Sequence, residues 1–157
     1  MTSLPGLDTT LYPFDSHYHE LPSGHCMHFV DEGPAAGQPV VMVHGNPTWS
    51  FYYRNVIRGL ADRHRCLAPD HIGMGLSDRP ADSEYHYTLA SRVADLGDWL
   101  DAVEPDRPVD LVVHDWGGAI GLSWAAANPE RVRRIFILNT WAFTIPDDAD
   151  LPRSLAF

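Results

Sequence analysis

Asp115 stands between two stretches that leave little room for a charge. Before it, Val109-Asp110-Leu111-Val112-Val113-His114 is mostly apolar and β-branched, and after it Trp116-Gly117-Gly118-Ala119-Ile120-Gly121 carries small and aliphatic residues at helical spacing. The pattern reads as strand, abrupt turn and helix. A carboxylate at such a junction costs several kcal/mol unless backbone amides hydrogen-bond it, so a sequence keeps it there mainly for chemistry. The duller alternative is a plain N-cap, which Asp fills well. A residue on a sharp strand-to-helix turn, followed two positions later by glycine (here Gly117), has the arrangement of a nucleophile elbow. A carboxylate nucleophile makes an ester with the carbon it attacks, so the expected reaction is displacement at carbon followed by hydrolysis. The backbone amides of Trp116 and of Asn46, the latter in the turn after a neighbouring strand, would be placed to hold an oxyanion.

The elements that must position Asp115 can be followed along the chain. Residues 1–14 read as an irregular arm, and residues 16–20 and 25–31 alternate about the turn Pro22-Ser23-Gly24, which predicts a hairpin. His17 and His19 lie two apart on one strand and His25 and His28 on the next stretch, and could be imagined as metal ligands, but no Cys or carboxylate cluster completes a set, so no metal site is expected. Val40-Val41-Met42-Val43 is a continuous apolar run, the mark of a strand covered on both faces. It ends in His44-Gly45-Asn46-Pro47-Thr48-Trp49. Ser50 is the expected N-cap of a helix carrying Phe51, Tyr52, Val56, Ile57 and Leu60. Residues 65–69 form a further strand and residues 70–80 a Gly-rich loop. Gly73-Met74-Gly75 there lacks the third glycine of a dinucleotide fingerprint, so no nicotinamide cofactor is expected. Thr88 caps a helix with Leu89, Val93, Leu96, Leu100 and Val103 on one face, the helix that starts at Trp116 is stopped by Pro129, and residues 132–138 make the last strand. A hairpin followed by alternating strands and helices predicts an α/β fold with a mostly parallel sheet and helices on both faces. Sites in such sheets lie beyond the carboxyl ends of the strands, where residues 44–49, 70–80 and 114–117 would converge.

Composition narrows the partners. The chain has 157 residues, 45% of them hydrophobic, which suits one ordinary core. With 11 basic and 21 acidic residues the formal charge is −10, which argues against nucleic acid or an anionic membrane surface as a partner. Cys26 and Cys66 fall in strand-like stretches without a CxxC pattern and are expected as core thiols in a reducing compartment. No signal-peptide pattern and no long apolar span is visible, so a cytoplasmic location is expected.

Three segments, His44-Gly45-Asn46-Pro47-Thr48-Trp49-Ser50-Phe51 with Arg54, then Asp70-His71-Ile72-Gly73-Met74-Gly75-Leu76-Ser77-Asp78, then Val113-His114-Asp115-Trp116-Gly117-Gly118, resemble in order and spacing the signature segments of haloalkane dehalogenases in the α/β-hydrolase superfamily. The resemblance runs from about Ser16 onward. It implies an α/β-hydrolase fold and a cofactor-free enzyme that uses a small halogenated substrate and water. It also implies that Asp115 attacks the halogen-bearing carbon while the Trp116 indole N–H and the Asn46 side-chain amide bind the departing halide. Neutral donors suit a soft anion in a dry pocket. Trp49 and Trp141 read as packing residues.

The resemblance also calls for a histidine that activates water and an acid that orients it. Both would come after residue 157 in the family pattern, since Asn139 stands where some members carry the acid. The expectation is therefore an N-terminal part of the hydrolase core over residues 1–144 and the start of a cap region over residues 145–157. Other readings are an epoxide hydrolase, against which Asn46 counts because an aromatic usually stands there, a coelenterazine-type luciferase on the same scaffold, or an inactive binding fragment.

Overall fold

The computed structural model of the chain describes residues 6–140. The expected boundary at residue 144, the cap segment 145–157 and Trp141 lie outside the described residues. Six strands form one sheet: β1 His17–Glu20, β2 Cys26–Glu32, β3 Gln38–Val43, β4 His64–Pro69, β5 Val109–His114 and β6 Val132–Leu138. Their spatial order is β1-β2-β4-β3-β5-β6, with β2 antiparallel to both its neighbours β1 and β4, and β4, β3, β5 and β6 parallel. The helices are α1 Arg54–Leu60, α2 Leu89–Val103 and α3 Trp116–Ala127. Among the described residues no helix is long and apolar enough to cross a membrane.

The alternation of side chains along β3 explains its unbroken apolar run. Val41 and Val43 face the layer of α2 and α3, where Leu96, Trp99, Leu100, Ile120 and Trp124 complete one core. Val40 and Met42 face the other layer, with Tyr53 and Ile57 from the segment leading into and through α1. The single charge in β5, Asp110, is buried and takes both oxygens of a two-pronged contact from Arg133 on β6, at 2.8 and 2.5 Å. That pairing ties β6 to β5. The outer edge of β6 has no neighbouring strand among the described residues, and Ile135, Phe136, Ile137 and Leu138 are 41% to 50% exposed.

Two expectations need correction at the start of α1. Ser50 does not cap a helix: it begins a short 3-10 turn, Ser50–Tyr53, and its hydroxyl is hydrogen-bonded to the Tyr12 hydroxyl at 2.6 Å. The buried aromatic is Tyr53, whose hydroxyl donates to the Val43 carbonyl, whereas Tyr52 and Val56 face solvent. The 3-10 turn shifts the phase by which an ideal 3.6-residue period would assign the faces. The arm also has more order than expected. Tyr12 is buried against Phe14, Trp49 and Phe51, so Trp49 packs as anticipated. Thr88 does cap α2, accepting from the Ser91 amide at 3.1 Å. Cys66 is buried and Cys26 half-buried, both as free thiols.

The strand ends are held by a buried carboxylate. Asp70, directly after β4, accepts from the Ser50 amide on one oxygen and from the Leu76 amide on the other, and it is paired with His28 Nδ1 at 2.8 Å. It thus joins the turn after β3, the Gly-rich loop and β2. Burial by itself would raise this carboxyl, but the His28 hydrogen bond and charge, with the Leu76 amide, hold it below its ordinary value. The other His28 nitrogen contacts the Ser16 hydroxyl at 3.1 Å, so both ring nitrogens are occupied by protein groups. Replacing Asp70 by alanine is expected to cost about 3–5 kcal/mol by stranding His28 and two amides. Urea unfolding checks this, and a loss under about 1 kcal/mol would show that water substitutes for the carboxylate.

Candidate active site

β5 ends at His114, and Asp115 takes a positive φ of 54° with ψ −129° before α3 begins. Its side chain makes no capping hydrogen bond to the helix, so the N-cap alternative does not describe it. A non-glycine residue held in this region is strained, and the surroundings must impose the conformation. Two contacts to its carbonyl do so: the Gly118 amide donates at 2.9 Å and the Thr140 hydroxyl, just beyond β6, at 2.6 Å.

The turn after β3 reaches the same point. The Asn46 amide donates to Asp115 Oδ1 at 2.7 Å. This amide, expected to hold an oxyanion, therefore holds and orients the carboxylate itself. The approach demands glycine. A Cβ on Gly45 would collide with the Asp115 carboxylate, and one on Gly117 would collide with the Val43 carbonyl. Among the described residues no cation forms an ion pair with Asp115.

A cleft of about 680 Å³ opens beside the elbow, lined by Asn46 and Trp116 together with His71, Met74, Tyr87, Leu89, Arg92 and Ile120, among others. The structure thus brings together the three expected segments and both expected halide-binding residues. It adds wall residues for which no site role was expected, His71 after β4 and Tyr87, Leu89 and Arg92 about the start of α2, with Leu89 exposed here and not on the buried face of the helix. The signal for His71 was its place next to the strand-end Asp70. For Arg92 no local signal existed, because its position depends on how α2 docks on α3.

His71 is buried and locked. The His44 Nδ1 contacts the Gly45 carbonyl at 2.8 Å, so that nitrogen carries the proton, and His44 Nε2 accepts from the His71 amide at 3.1 Å. His71 Nε2 in turn donates to the His44 carbonyl at 3.0 Å. A carbonyl can only accept, so these tautomers follow. His71 Nδ1 is then left without a proton. Burial, helped by the charges of His44 and Arg92, pushes the His71 pKa well below its ordinary 6.5, so the ring is neutral. His114 stacks on Tyr52 with centroids 4.3 Å apart. Among the described residues no group of three His, Cys, Asp or Glu side chains is arranged to hold a metal.

The fold and the elbow define an α/β hydrolase, and residues 38–155 match that family, so the chain belongs to the α/β-hydrolase fold family. Among individual proteins it is 53% identical over 146 residues to the cis-3-alkyl-4-alkyloxetan-2-one decarboxylase of Shewanella oneidensis, covering 93% of this chain and 45% of that protein. It is 43% identical over 134 residues to haloalkane dehalogenase 2 of Mycobacterium tuberculosis, covering 85% of this chain and 45% of that one. The solved structure of the epoxide hydrolase CorEH superposes with a TM-score of 0.76 at 29% identity, over 90% of this chain and 47% of that one. The chain spans about half the length of the curated relatives it matches.

The histidine pair has a measurable consequence. In the unfolded chain His71 takes up a proton near pH 6.5, whereas the folded ring resists it until well below, and His44 is displaced in the same direction. Below 6.5 the unfolded state binds more protons, so stability present above that pH is lost as the pH falls. The urea midpoint is expected to drop between about pH 7.5 and about pH 5.5, and to drop less in His71→Asn. An undiminished drop in that variant would assign the effect to other groups.

Proposed function

We propose that Asp115 is a carboxylate nucleophile that attacks a saturated carbon and forms an alkyl ester with it. The observation that carries this is the Asp115 carboxylate itself, held at a strained elbow by one amide from another strand and lacking an ion-pair partner among the described residues. A carboxylate paired to arginine would be a poor nucleophile. One held by the neutral Asn46 N–H keeps its negative charge for the attack.

The relatives offer two leaving groups for that attack. With a haloalkane, halide departs past Asn46 and Trp116, and water then hydrolyses the ester to an alcohol, as the signature segments imply. With an oxetan-2-one, attack at ring carbon 4 breaks its bond to the ring oxygen and leaves a carboxylate on carbon 3. Loss of carbon dioxide then forms the alkene, and the departing Asp115 carboxylate is restored. We take the oxetan-2-one as the leading substrate class, because the identity of 53% to the decarboxylase exceeds the 43% to the dehalogenase. Dehalogenation is the second reading, supported by Asn46 and Trp116 on the wall of the cleft.

The test supplies the purified protein with a cis-3,4-dialkyloxetan-2-one, a 1-bromoalkane and a 1,2-epoxyalkane in separate reactions, measuring alkene, bromide and diol. Alkene is the expected main product, and Asp115→Asn is expected to lower it by at least about 1,000-fold, the scale on which loss of a nucleophile acts. Bromide as the main product would move the assignment to dehalogenation. Unchanged turnover in Asp115→Asn would remove the nucleophile assignment altogether.

A further inference from the structure

Arg92, in the first turns of α2, brings a full positive charge to a cleft otherwise lined by neutral groups among the described residues. Its Nη1 donates to the Ile72 carbonyl at 3.1 Å, and its guanidinium lies 5.8 Å from the Tyr87 ring centroid, near the outer limit of a cation–π contact. Among the described residues it has no carboxylate within ion-pair distance, whereas Arg65, Arg107 and Arg133 each sit on one. Asp95, three residues on along the same helix, feels the Arg92 charge without pairing to it, and it accepts from the Tyr85 hydroxyl at 2.6 Å. A half-buried guanidinium with no paired carboxylate is stabilised when an anion joins it.

A second observation marks the same wall. Thr88 and Leu89 line the cleft too, so the positive end of the 15-residue α2 faces the region that Arg92 occupies. His71, buried beside them with a bare Nδ1, is a hydrogen-bond acceptor and offers nothing to an anion. An anion entering the cleft is therefore drawn to the α2 side.

We propose that Arg92 and the first turn of α2 form a carboxylate subsite, which takes the carboxylate that appears when the substrate ring opens while the alkyl carbon is bound to Asp115. This rests on Asp115 as nucleophile. The charges balance across the cleft. Attack turns the Asp115 carboxylate into a neutral ester, and the electron pair of the broken carbon–oxygen bond becomes the new carboxylate at Arg92. When the bond from carbon 3 to that carboxylate breaks, its pair forms the double bond, carbon dioxide leaves, and the charge returns to Asp115. A guanidinium fork matches a planar carboxylate better than a spherical halide, so the subsite favours a carboxylate-forming substrate over a haloalkane.

The experiment uses the purified protein with Asp115→Asn, which removes turnover and one negative charge, and titrates it calorimetrically with hexanoate, hexanamide and sodium bromide. Hexanoate is expected to bind at least about tenfold more tightly than its neutral isostere, and bromide to bind more weakly than hexanoate. Arg92→Gln is expected to abolish the preference and Arg92→Lys to retain part of it. Because Arg92 also supports Ile72, Leu89→Asp serves as the second variant: it puts a carboxylate on the cleft wall and should abolish the preference without disturbing that bond. Equal binding of hexanoate and hexanamide, a preference that survives both Arg92→Gln and Leu89→Asp, or bromide binding as tightly as hexanoate would overturn the subsite. Binding is read without turnover, so failure of the subsite is separable from failure of the nucleophile assignment, which the product assay with wild type and Asp115→Asn decides.

Discussion

The site depends on one close approach. The amide of Asn46, at the end of β3, meets the carboxylate of Asp115, at the end of β5, at 2.7 Å. Adjacent parallel strands lie about 4.8 Å apart, so loops leaving their ends can touch only where no side chain intervenes. Gly45 and Gly117 remove those side chains on each side of the contact. The result is a carboxylate held in place by backbone, the preorganisation that the proposed attack requires.

Around that contact, polar groups are buried in connected sets. Asp70 gathers amides from two loops and an imidazole from β2, and the His44–His71 pair links the turn after β3 to the start of the Gly-rich loop. Both carboxylate oxygens of Asp70 and both ring nitrogens of His28 and of His44 have protein partners. The arrangement makes the strand ends a rigid frame, since moving one loop would strand donors in the others. Arg92 has the opposite character. It enters from α2 with the Ile72 carbonyl and the Tyr87 ring as its contacts and, among the described residues, no carboxylate within ion-pair distance.

Much of this was legible along the chain. Asp115 as an elbow, Asn46 and Trp116 beside it, the hairpin, the parallel order implied by alternating elements and the Thr88 cap were all readable, because each rests on local pattern: an apolar run, a turn residue, a glycine two positions on. The errors fell where a local rule was overridden. Ser50 has the chemistry of a cap but bonds Tyr12, which is distant in sequence and near in space. Tyr52 and Tyr53 exchanged burial because a 3-10 turn precedes α1 and changes the angular step per residue.

The sequence by itself determined the scaffold and the place of Asp115 at its elbow, because strand, turn and helix signals around that residue span only about a dozen residues. Only the tertiary structure decided what surrounds the Asp115 carboxylate. The amide that holds Asp115 comes from 69 residues earlier in the chain. The tautomer of His71 is dictated by carbonyls of the turn after β3, and the charge of Arg92 reaches the cleft because α2 packs beside α3. These are relations between segments remote in sequence, and they exist only once the sheet has set the distances between strand ends.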